Sequence, residues 1–364
     1  MTPRLTLPIA GIATGMVKSA KDFETAFTGV EKTVDGTEEQ MKNLREGIKK
    51  MAEELPSSTT EISAVAEAAG QLGIETDNIL GFSKAMIDLG NSTNLSSEEA
   101  SSQLAKFANI TQMSQKNFDK LGSSIVDLGN NFATTEADIV SMSMRLAGAG
   151  KQVGLSQGDI LGLATALSSV GVEAEMGGSA FSKAMVKMQS AVEVGGTQLD
   201  NVLNKTGKSL RDLQLMSDND TKSFKELADG LGMTKTELKN MVTAGAQLKD
   251  FAKISGMSTD QFKKQWKKDA VGAINAFIKG LGNTKKQGKS AIALLQDMGL
   301  SEVRLRDSLL RAANSGDLFT RAVKTGNKAF KENKALTNEA NKRYQTLDSR
   351  LEMTKNKLIN VATN

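Results

Sequence analysis

The chain has no cysteine and no histidine among its 364 residues. Disulfide bonds, thiol nucleophiles, Cys/His zinc sites and imidazole acid–base catalysis are therefore excluded. Aromatic residues make up only 4% of the sequence, with one tryptophan and one tyrosine. Alanine, leucine, isoleucine and methionine must then fill the interior, which favours close contacts between helices. We expect no metal ion and no cofactor.

Proline is almost absent as well. The three prolines all precede residue 57, so roughly 300 residues lack the strongest helix breaker. The 33 glycines lie between apolar stretches, where they can end helices. No stretch has the sustained alternation or the Val, Ile and Tyr enrichment that is typical of β-strands. The composition predicts an all-α fold.

No apolar run is long enough to cross a membrane. The longest runs are Leu7–Val17 and Ile160–Val172, of about 11 and 13 residues against the roughly 20 that a bilayer requires. The first could pass for the apolar part of a secretion signal. However, no clear cleavage site follows, and an amphipathic helix continues through Phe23 and Phe27. We predict no transmembrane segment and interpret Leu7–Val17 as a buried N-terminal segment.

Charge is divided unevenly along the chain. The net charge is +4, yet residues 1–196 carry 16 basic and 24 acidic side chains, whereas residues 197–364 carry 30 basic and 18 acidic ones. Such an asymmetry can mark contact with a polyanion or with an acidic protein surface. A solvated, lysine-rich helical surface is the simpler interpretation.

A stretch of about twenty residues occurs twice. Gln71–Gly90 reads QLGIETDNILGFSKAMIDLG, and Gln152–Gly171 reads QVGLSQGDILGLATALSSVG. Both copies contain an Ile-Leu-Gly triplet, which ends at Gly81 and Gly162, and a weaker copy of the last residues lies between them at Val126–Asn130. The spacings are about 39 and 42 residues, the range of helix-pair repeats. Such repeats predict stacked helices with an extended surface rather than one catalytic pocket.

Caps and turns divide the chain into four predicted segments. Residues 1–56 form an N-terminal helical segment, and residues 57–192 form a helical-repeat core of short helices that begin at Ser or Thr and end at Gly. Residues 193–325 form a basic helical region, and residues 326–364 form a C-terminal heptad helix. We therefore predict a compact helical-repeat body of glycine-punctuated helices followed by an amphipathic or coiled-coil helix.

Apolar positions near the C-terminus alternate by four and three residues, which is a heptad seam. The positions are Ala340, Tyr344, Leu347, Leu351, Thr354, Leu358 and Val361. Two interpretations fit this seam, a true coiled coil and a single amphipathic helix that packs on the main body. If the stripe is not covered by the body, Leu347, Leu351 and Leu358 predict self-association into a homo-oligomer.

Four lysines surround two aromatic residues in the basic region. The lysines are Lys263, Lys264, Lys267 and Lys268. Aromatic rings beside lysines can stack on bases while the ammonium groups meet phosphates. Phe262 and Trp266 are also i and i+4 on one helical face, the usual arrangement of core residues. We favour core packing of the aromatic residues, with the lysines on the rim as candidates for contact with a polyanion.

No pattern indicates catalysis. Gly282–Ser290 resembles a phosphate-binding loop, but five residues separate its glycines where four are needed. Gly148–Gln152 lacks the Ser or Thr of that motif. Adjacent carboxylates such as Glu98 and Glu99 point about 100° apart on a helix and do not converge. We therefore predict that the chain is not an enzyme.

Four segments, taken in order, resemble the core region of phage tail tape measure proteins. They are Leu7–Val34, the repeat that begins at Gln71 and Gln152, Ala166–Met185 and Tyr344–Leu358. The resemblance implies a structural virion protein that lies in the lumen of the tail tube. It also implies a role in tube assembly and tail length, release during DNA ejection, and a place in the host cytoplasm during assembly.

The resemblance also implies partners. These are the tail tube protein, tail-tip (distal tail) proteins, tail assembly chaperones and further copies of the chain. An acidic inner wall of the tube would then be the partner of the four lysines, with at most weak, non-specific contact to DNA. Typical members carry further helical segments on both sides, so we expect a core fragment or a short member. The alternative is a free-standing helical-repeat scaffold that binds proteins and is unrelated to tails.

Overall fold

The computed structural model of the protein describes residues 6–284 and 290–363, with side chains described for residues 18–284 and 290–361. Regular structure in these ranges is helical throughout, and they contain no β-strand. The prediction of an all-α fold is therefore confirmed. The predicted burial of Leu7–Val17 concerns side chains that lie outside the described residues.

The α-helices are numbered in chain order. The first ten are α1 (Thr6–Thr33), α2 (Glu38–Glu54), α3 (Thr59–Gln71), α4 (Ile79–Ser92), α5 (Ser97–Thr111), α6 (Phe118–Asn131), α7 (Glu136–Gln152), α8 (Gln157–Ser169), α9 (Ser179–Val192) and α10 (Leu199–Thr206). They are followed by α11 (Leu210–Asn219), α12 (Thr221–Gly230), α13 (Lys235–Ile254), α14 (Thr259–Lys268), α15 (Ala270–Asn283), α16 (Ala291–Asp297), α17 (Val303–Ala313), α18 (Leu318–Glu332), α19 (Ala335–Tyr344) and α20 (Leu347–Thr363). Short 3-10 turns occur at Thr76–Asn78 and Gln115–Asn117, and π-helical turns at Ala174–Gly178 and Glu193–Gln198.

The chain forms two compact units. The first comprises residues 1–144 and 324–364, and the second comprises residues 145–323. The boundaries between the units fall inside α7 and α18. The four segments predicted from the sequence divide the chain by sequence pattern and not by contacts. They stay a prediction.

Helix pairs recur along the first half of the chain. α3, α5 and α7 begin at residues 59, 97 and 136, and α4, α6 and α8 begin at residues 79, 118 and 157. Within each pair the chain turns through a left-handed residue, with φ of 77° at Gly73, 54° at Gln112 and 82° at Gly154. A residue with a Cβ is strained in this conformation, which explains the glycine at two of the three turns.

Capping boxes begin several of these helices. The side chains of Ser58, Ser96 and Ser156 each accept a hydrogen bond from the backbone N–H of the residue three positions later. The carboxylate of that later residue (Glu or Asp) accepts a hydrogen bond from the backbone N–H of the serine. A helix start leaves backbone donors without partners, and the box satisfies two of them. The Ser-x-x-Glu/Asp pattern in the local sequence therefore determines where these helices begin.

The core of the first unit lies among α1 to α6 and α19. Phe82 of α4 and Phe118 of α6 meet edge to face, with ring centroids 4.7 Å apart. α1 and α3 approach closely, because a Cβ at Gly70 would lie 2.7 Å from the carbonyl oxygen of Thr33. Small residues at such crossings let helix backbones pack tightly, as the alanine- and glycine-rich composition predicts.

A buried polar contact joins α19 to α4. The Tyr344 hydroxyl donates to Asp88 Oδ1 at 2.5 Å, and the Lys84 ammonium bonds to Asp88 Oδ2 at 2.5 Å. Burial, together with the Asp88 carboxylate, raises the pKa of Tyr344, so the phenol stays protonated and donates. Sequence reasoning missed this contact, because 256 residues separate its two partners and no local pattern signals it.

The heptad seam does not form one continuous helix. α19 ends at Tyr344 and α20 begins at Leu347. Ala340 and Tyr344 are buried, whereas Leu347 and Leu351 are exposed. The prediction of a continuous seam from residue 340 to residue 361 is wrong, because the break after Tyr344 lets its side chain turn into the core and bond to Asp88.

The core of the second unit contains an aromatic cluster. Phe251 of α13 lies 6.3 Å from Phe262 and 5.2 Å from Phe277, measured between ring centroids. The π-helical turn at Glu193–Gln198 packs on the same helix α13, since a Cβ at Gly195 would lie 2.2 Å from the carbonyl carbon of Ala244. This packing orients α14, which carries the four predicted lysines and their aromatic neighbours Phe262 and Trp266.

Candidate interaction surfaces

Helix α14 positions the four predicted lysines. Its start is capped by Ser258, which forms a capping box with Gln261, and its last residue is Lys268. Phe262 and Trp266 lie on one face of the helix and are buried. Trp266 Nε1 donates to Gln189 Oε1 at 2.6 Å. The two aromatic residues are therefore core residues and do not form a stacking surface for bases.

Lys263 lies apart from the other three lysines. Its side chain is only 18% exposed, and its ammonium lies 2.7 Å from Asp200 Oδ2 and 2.9 Å from Asp260 Oδ1. Partial burial alone would lower the pKa of Lys263, but the hydrogen bonds to the two carboxylates outweigh it and raise that pKa. Lys263 therefore serves as an internal ion-pair partner.

The other three lysines point outward. Lys264, Lys267 and Lys268 are exposed, and none of them forms an ion pair within the described part of the chain. Because α14 turns about 100° per residue, these side chains share the solvent side while Phe262 and Trp266 share the core side. The structure brings three of the four predicted residues to one surface and leaves them free to meet an acidic partner.

A groove that the sequence did not reveal lies beside Lys263. It has a volume of about 790 Å³ and is enclosed by α10, α13 and the start of α14. Leu199, Leu203 and Leu248 form apolar parts of its wall, and Lys249 and Lys253 lie at its edge. It arises where three helices meet, so no short motif in the sequence signals it.

Helix α20 is held to the first unit by its polar face. Asn356 Nδ2 donates to the carbonyl oxygens of Ala52 and Ser57, at 2.9 Å each. Asn360 Nδ2 donates to the carbonyl oxygen of Lys49 at 2.8 Å. Ala52 lies in the last turn of α2, where carbonyl groups lack intrahelical partners, and Ser57 lies in the loop that follows, so Asn356 satisfies acceptors at the end of this helix.

The opposite face of α20 carries an exposed apolar stripe. Leu347, Leu351, Leu358 and Val361 are 72%, 59%, 58% and 78% exposed. All three leucines predicted for self-association therefore lie on the surface of the first unit. The other interpretation of the seam was a helix that packs its apolar stripe against the body. It does not hold for these residues of α20, because the asparagines occupy the buried face.

Two kinds of feature are absent from the described residues, namely a metal-binding cluster and a membrane-spanning helix. Within residues 6–284 and 290–363, no cluster of three or more Asp or Glu side chains could hold a metal ion. In the same ranges, no helix has both the length and the apolar character needed to cross a bilayer. Part of Gly282–Ser290, the loop that resembles a phosphate-binding motif, lies outside the described residues.

Comparison with known proteins decides the family. A family model described as "Phage-related minor tail protein" matches residues 45–294, which is more than half of the chain. The chain belongs to this family. The match includes the helix-pair region and the lysines of α14, and it ends before α20. The chain is thus a phage tail protein, and the alternative of a scaffold unrelated to tails is wrong.

A similar protein of known name connects the chain to tape measure proteins. A protein named "Probable tape measure protein" from Halomonas phage phiHAP-1 is 24% identical over 198 residues, and the match covers 50% of this chain and 23% of the relative. The predicted membership of a tape measure-related family is confirmed. The chain spans about a quarter of the length of this relative.

Proposed function

We propose that this chain is the folded core of a tape measure protein. In this role it occupies the lumen of the tail tube, templates the assembly and length of the tube, and leaves during DNA ejection. The observation that carries the proposal is the match to the tail family together with the relative named as a probable tape measure protein. The proposed action is to fill space and bind surfaces, and it includes no catalytic step.

The described residues form many short helices rather than one continuous helix. A single helix of 364 residues would extend about 550 Å at 1.5 Å per residue. The longest helix of the described residues, α1, has 28 residues. We therefore propose that length setting does not depend on one continuous helix through these residues.

The proposed partners are the tail tube protein, tail-tip proteins and tail assembly chaperones. The exposed Lys264, Lys267 and Lys268 are the residues proposed to contact an acidic inner wall of the tube. Contacts between exposed charges are screened at physiological ionic strength, so they would be weak enough to release the protein at ejection. Contact with DNA is proposed to be weak and independent of sequence.

Self-association through α20 is part of the same proposal. Leu347, Leu351 and Leu358 form an exposed apolar stripe on a helix whose other face is fixed to the body. Burying one leucine stabilises an interface by roughly 1.5–3 kcal/mol, so three of them can drive association of copies.

Mass spectrometry of purified tails tests the proposed function. In a phage that encodes this chain, the protein should be present in tails purified before ejection and depleted from tails after ejection is triggered, relative to the tube protein. Tails that never contain the protein, or that retain all of it after their DNA has left, would contradict a luminal tape measure role.

A further inference from the structure

Helix α20 is held to the first unit by polar side chains rather than by apolar ones. Among residues 347–361, Asn356 and Asn360 are the buried side chains, while Met353 and Ile359 are only half-buried. Burial of apolar surface provides most of the free energy that holds a helix in a fold. A hydrogen bond contributes less, because water replaces the lost partner when the contact opens. α20 is therefore weakly held for a helix of 17 residues.

Two cavities lie between α20 and the helices beneath it. The larger has a volume of about 100 Å³, and its lining includes Asp22 of α1, Thr60 of α3 and Asn356. The smaller has a volume of about 40 Å³, and its lining includes Phe23 of α1 and Ile359. Protein interiors are normally close-packed, and a gap removes the dispersion contacts that its lining would otherwise make. The packing under α20 is thus incomplete as well as polar.

The break between α19 and α20 separates a firmly packed helix from a loosely packed one. α19 buries Leu336 and Tyr344, and the Tyr344 hydroxyl bonds to Asp88 of α4. Gln345 and Thr346 connect the two helices, and both are exposed. This connection can therefore change its direction without disturbing the packing of α19.

The start of α20 is capped by local residues. The Thr346 hydroxyl accepts a hydrogen bond from the backbone N–H of Ser349 at 3.3 Å, and the Thr346 carbonyl accepts one from the backbone N–H of Arg350 at 3.0 Å. Within the helix, Lys355 Nζ lies 3.1 Å from Glu352 Oε1. Backbone donors at a helix start need partners, and here a neighbouring side chain supplies one. α20 therefore keeps its cap when its contacts with α1 and α2 are broken.

We propose that α20 is a releasable arm of the first unit. It leaves α1 and α2 as one element and turns about Gln345 and Thr346, while α19 stays packed on α4 and α6. Release exposes the asparagines and carries the leucine stripe away from the body, so that α20 reaches partners beyond its docked position. The inference concerns how α20 is held and not what binds to its stripe, so it does not rest on the proposed function.

Spin labels measure the release directly. The chain has no cysteine, so labels can be attached through Lys50→Cys of α2 and Lys357→Cys of α20, both at exposed positions. Double electron–electron resonance on labelled chain diluted in unlabelled chain reports distances within one molecule. We expect two distance populations, a docked one and a longer, released one. The matched control is the pair Lys116→Cys and Lys342→Cys, which spans α19 and the turn before α6 and should give one population.

Removing the asparagine contacts should shift the equilibrium. With Asn356→Ala and Asn360→Ala together, we expect the ratio of released to docked chain to rise on the order of tenfold, because hydrogen bonds to three backbone carbonyls are lost. The matched control is Thr354→Ala, which truncates an exposed side chain of the same helix and should leave the ratio unchanged.

Hydrogen exchange distinguishes release from fraying. Mass spectrometry of overlapping peptides should show low and even protection across residues 350–361 and higher protection in α19, because a released helix of this length is marginally stable and opens as a whole. One narrow distance population in both wild type and the asparagine variant would overturn the proposal. Protection that falls steadily toward residue 361 would also contradict it, because the helix would then fray from its end. Neither result bears on self-association, which sedimentation measures separately.

Discussion

At the scale of single residues, surroundings rather than residue type decide what a side chain does. Lys263 and Lys264 are adjacent on α14, yet Lys263 is bound by Asp200 and Asp260 while Lys264 faces solvent. The sequence pattern treats the four lysines alike. A helix rotates about 100° per residue, so neighbouring lysines meet different partners, and only the packed structure distinguishes them.

The two triplet glycines give a prediction at this scale. Gly162→Ala should lower the free energy of unfolding by about 1–3 kcal/mol, because its Cβ would overlap the backbone of α18 and force α8 and α18 apart. Gly81→Ala should raise that free energy by up to about 1 kcal/mol, because alanine is the better helix former and the site is open. Urea denaturation followed by circular dichroism measures both changes. Midpoints that move in the same direction would contradict the difference between the two sites.

At the scale of elements, long-range polar contacts decide how the C-terminal helices pack. α19 is joined to α4 through Tyr344 and Asp88, and α20 is joined to the end of α2 through Asn356 and Asn360. The heptad spacing alone leaves open whether the leucines of α20 face the body or the solvent. The two asparagines donate to backbone carbonyls of Lys49, Ala52 and Ser57, which apolar side chains cannot do, so the polar face of α20 is buried.

Removing the tyrosine hydroxyl tests the contact of α19. Tyr344→Phe should lower the free energy of unfolding by about 1.5–3 kcal/mol, because a hydrogen bond to a buried carboxylate is lost. In a double-mutant cycle with Asp88→Asn, the effect of Tyr344→Phe should become much smaller, because the charged acceptor is gone. Additive effects of the two substitutions would show that the hydroxyl and the carboxylate do not interact.

The stripe of α20 gives a second prediction at the scale of elements. Leu351→Asp should lower the oligomeric state in analytical ultracentrifugation while the helix content by circular dichroism is retained, because a charge cannot be buried in an apolar interface without a partner. The control is Gln345→Asp, which adds the same charge at an exposed position outside the stripe. A wild-type chain that sediments as a monomer at high micromolar concentration would refute self-association through this stripe.

At the scale of the whole molecule, charge distribution bears on what the protein contacts. The basic excess of residues 197–364 includes Lys264, Lys267 and Lys268, which are exposed and lack ion pairs in the described residues. Buried Phe262 and Trp266 offer no face for base stacking. Without stacking, we expect any binding to nucleic acid to depend on phosphate contacts alone and to be weak at physiological salt.

DNA binding by the full chain tests this view. If the three lysines meet three phosphates, the affinity for double-stranded DNA should fall about 40-fold between 50 and 200 mM salt, independently of sequence. Replacing Lys264, Lys267 and Lys268 with Glu should remove most of the remaining binding. Nanomolar affinity at physiological salt that these substitutions abolish would instead identify a DNA-handling protein. Electrophoretic mobility shifts and fluorescence anisotropy across a salt series distinguish the outcomes.

Local sequence by itself determined the helical class and the family. Scarce proline, Ser-x-x-Glu caps and glycine turns act within a few residues, so they predict helices without reference to the rest of the chain. The ordered segments that resemble tape measure proteins likewise predicted the family that the residue 45–294 match confirms. The exposed leucines of α20 also follow the local heptad spacing, whereas Ala340 and Tyr344 at the start of the predicted seam are buried.

Tertiary structure alone decided which residues of these patterns are available. Gly81 and Gly162 occupy equivalent positions in the two copies of the repeat. The backbone of α18 packs against Gly162, whereas a Cβ at Gly81 would meet no atom within 4 Å. Tyr344 is not part of the exposed stripe because its hydroxyl bonds to buried Asp88. Lys263 is not available with the other lysines because it forms an ion pair with Asp200. Each of these outcomes depends on a contact between residues far apart in the chain, and periodicity and propensity describe only neighbours.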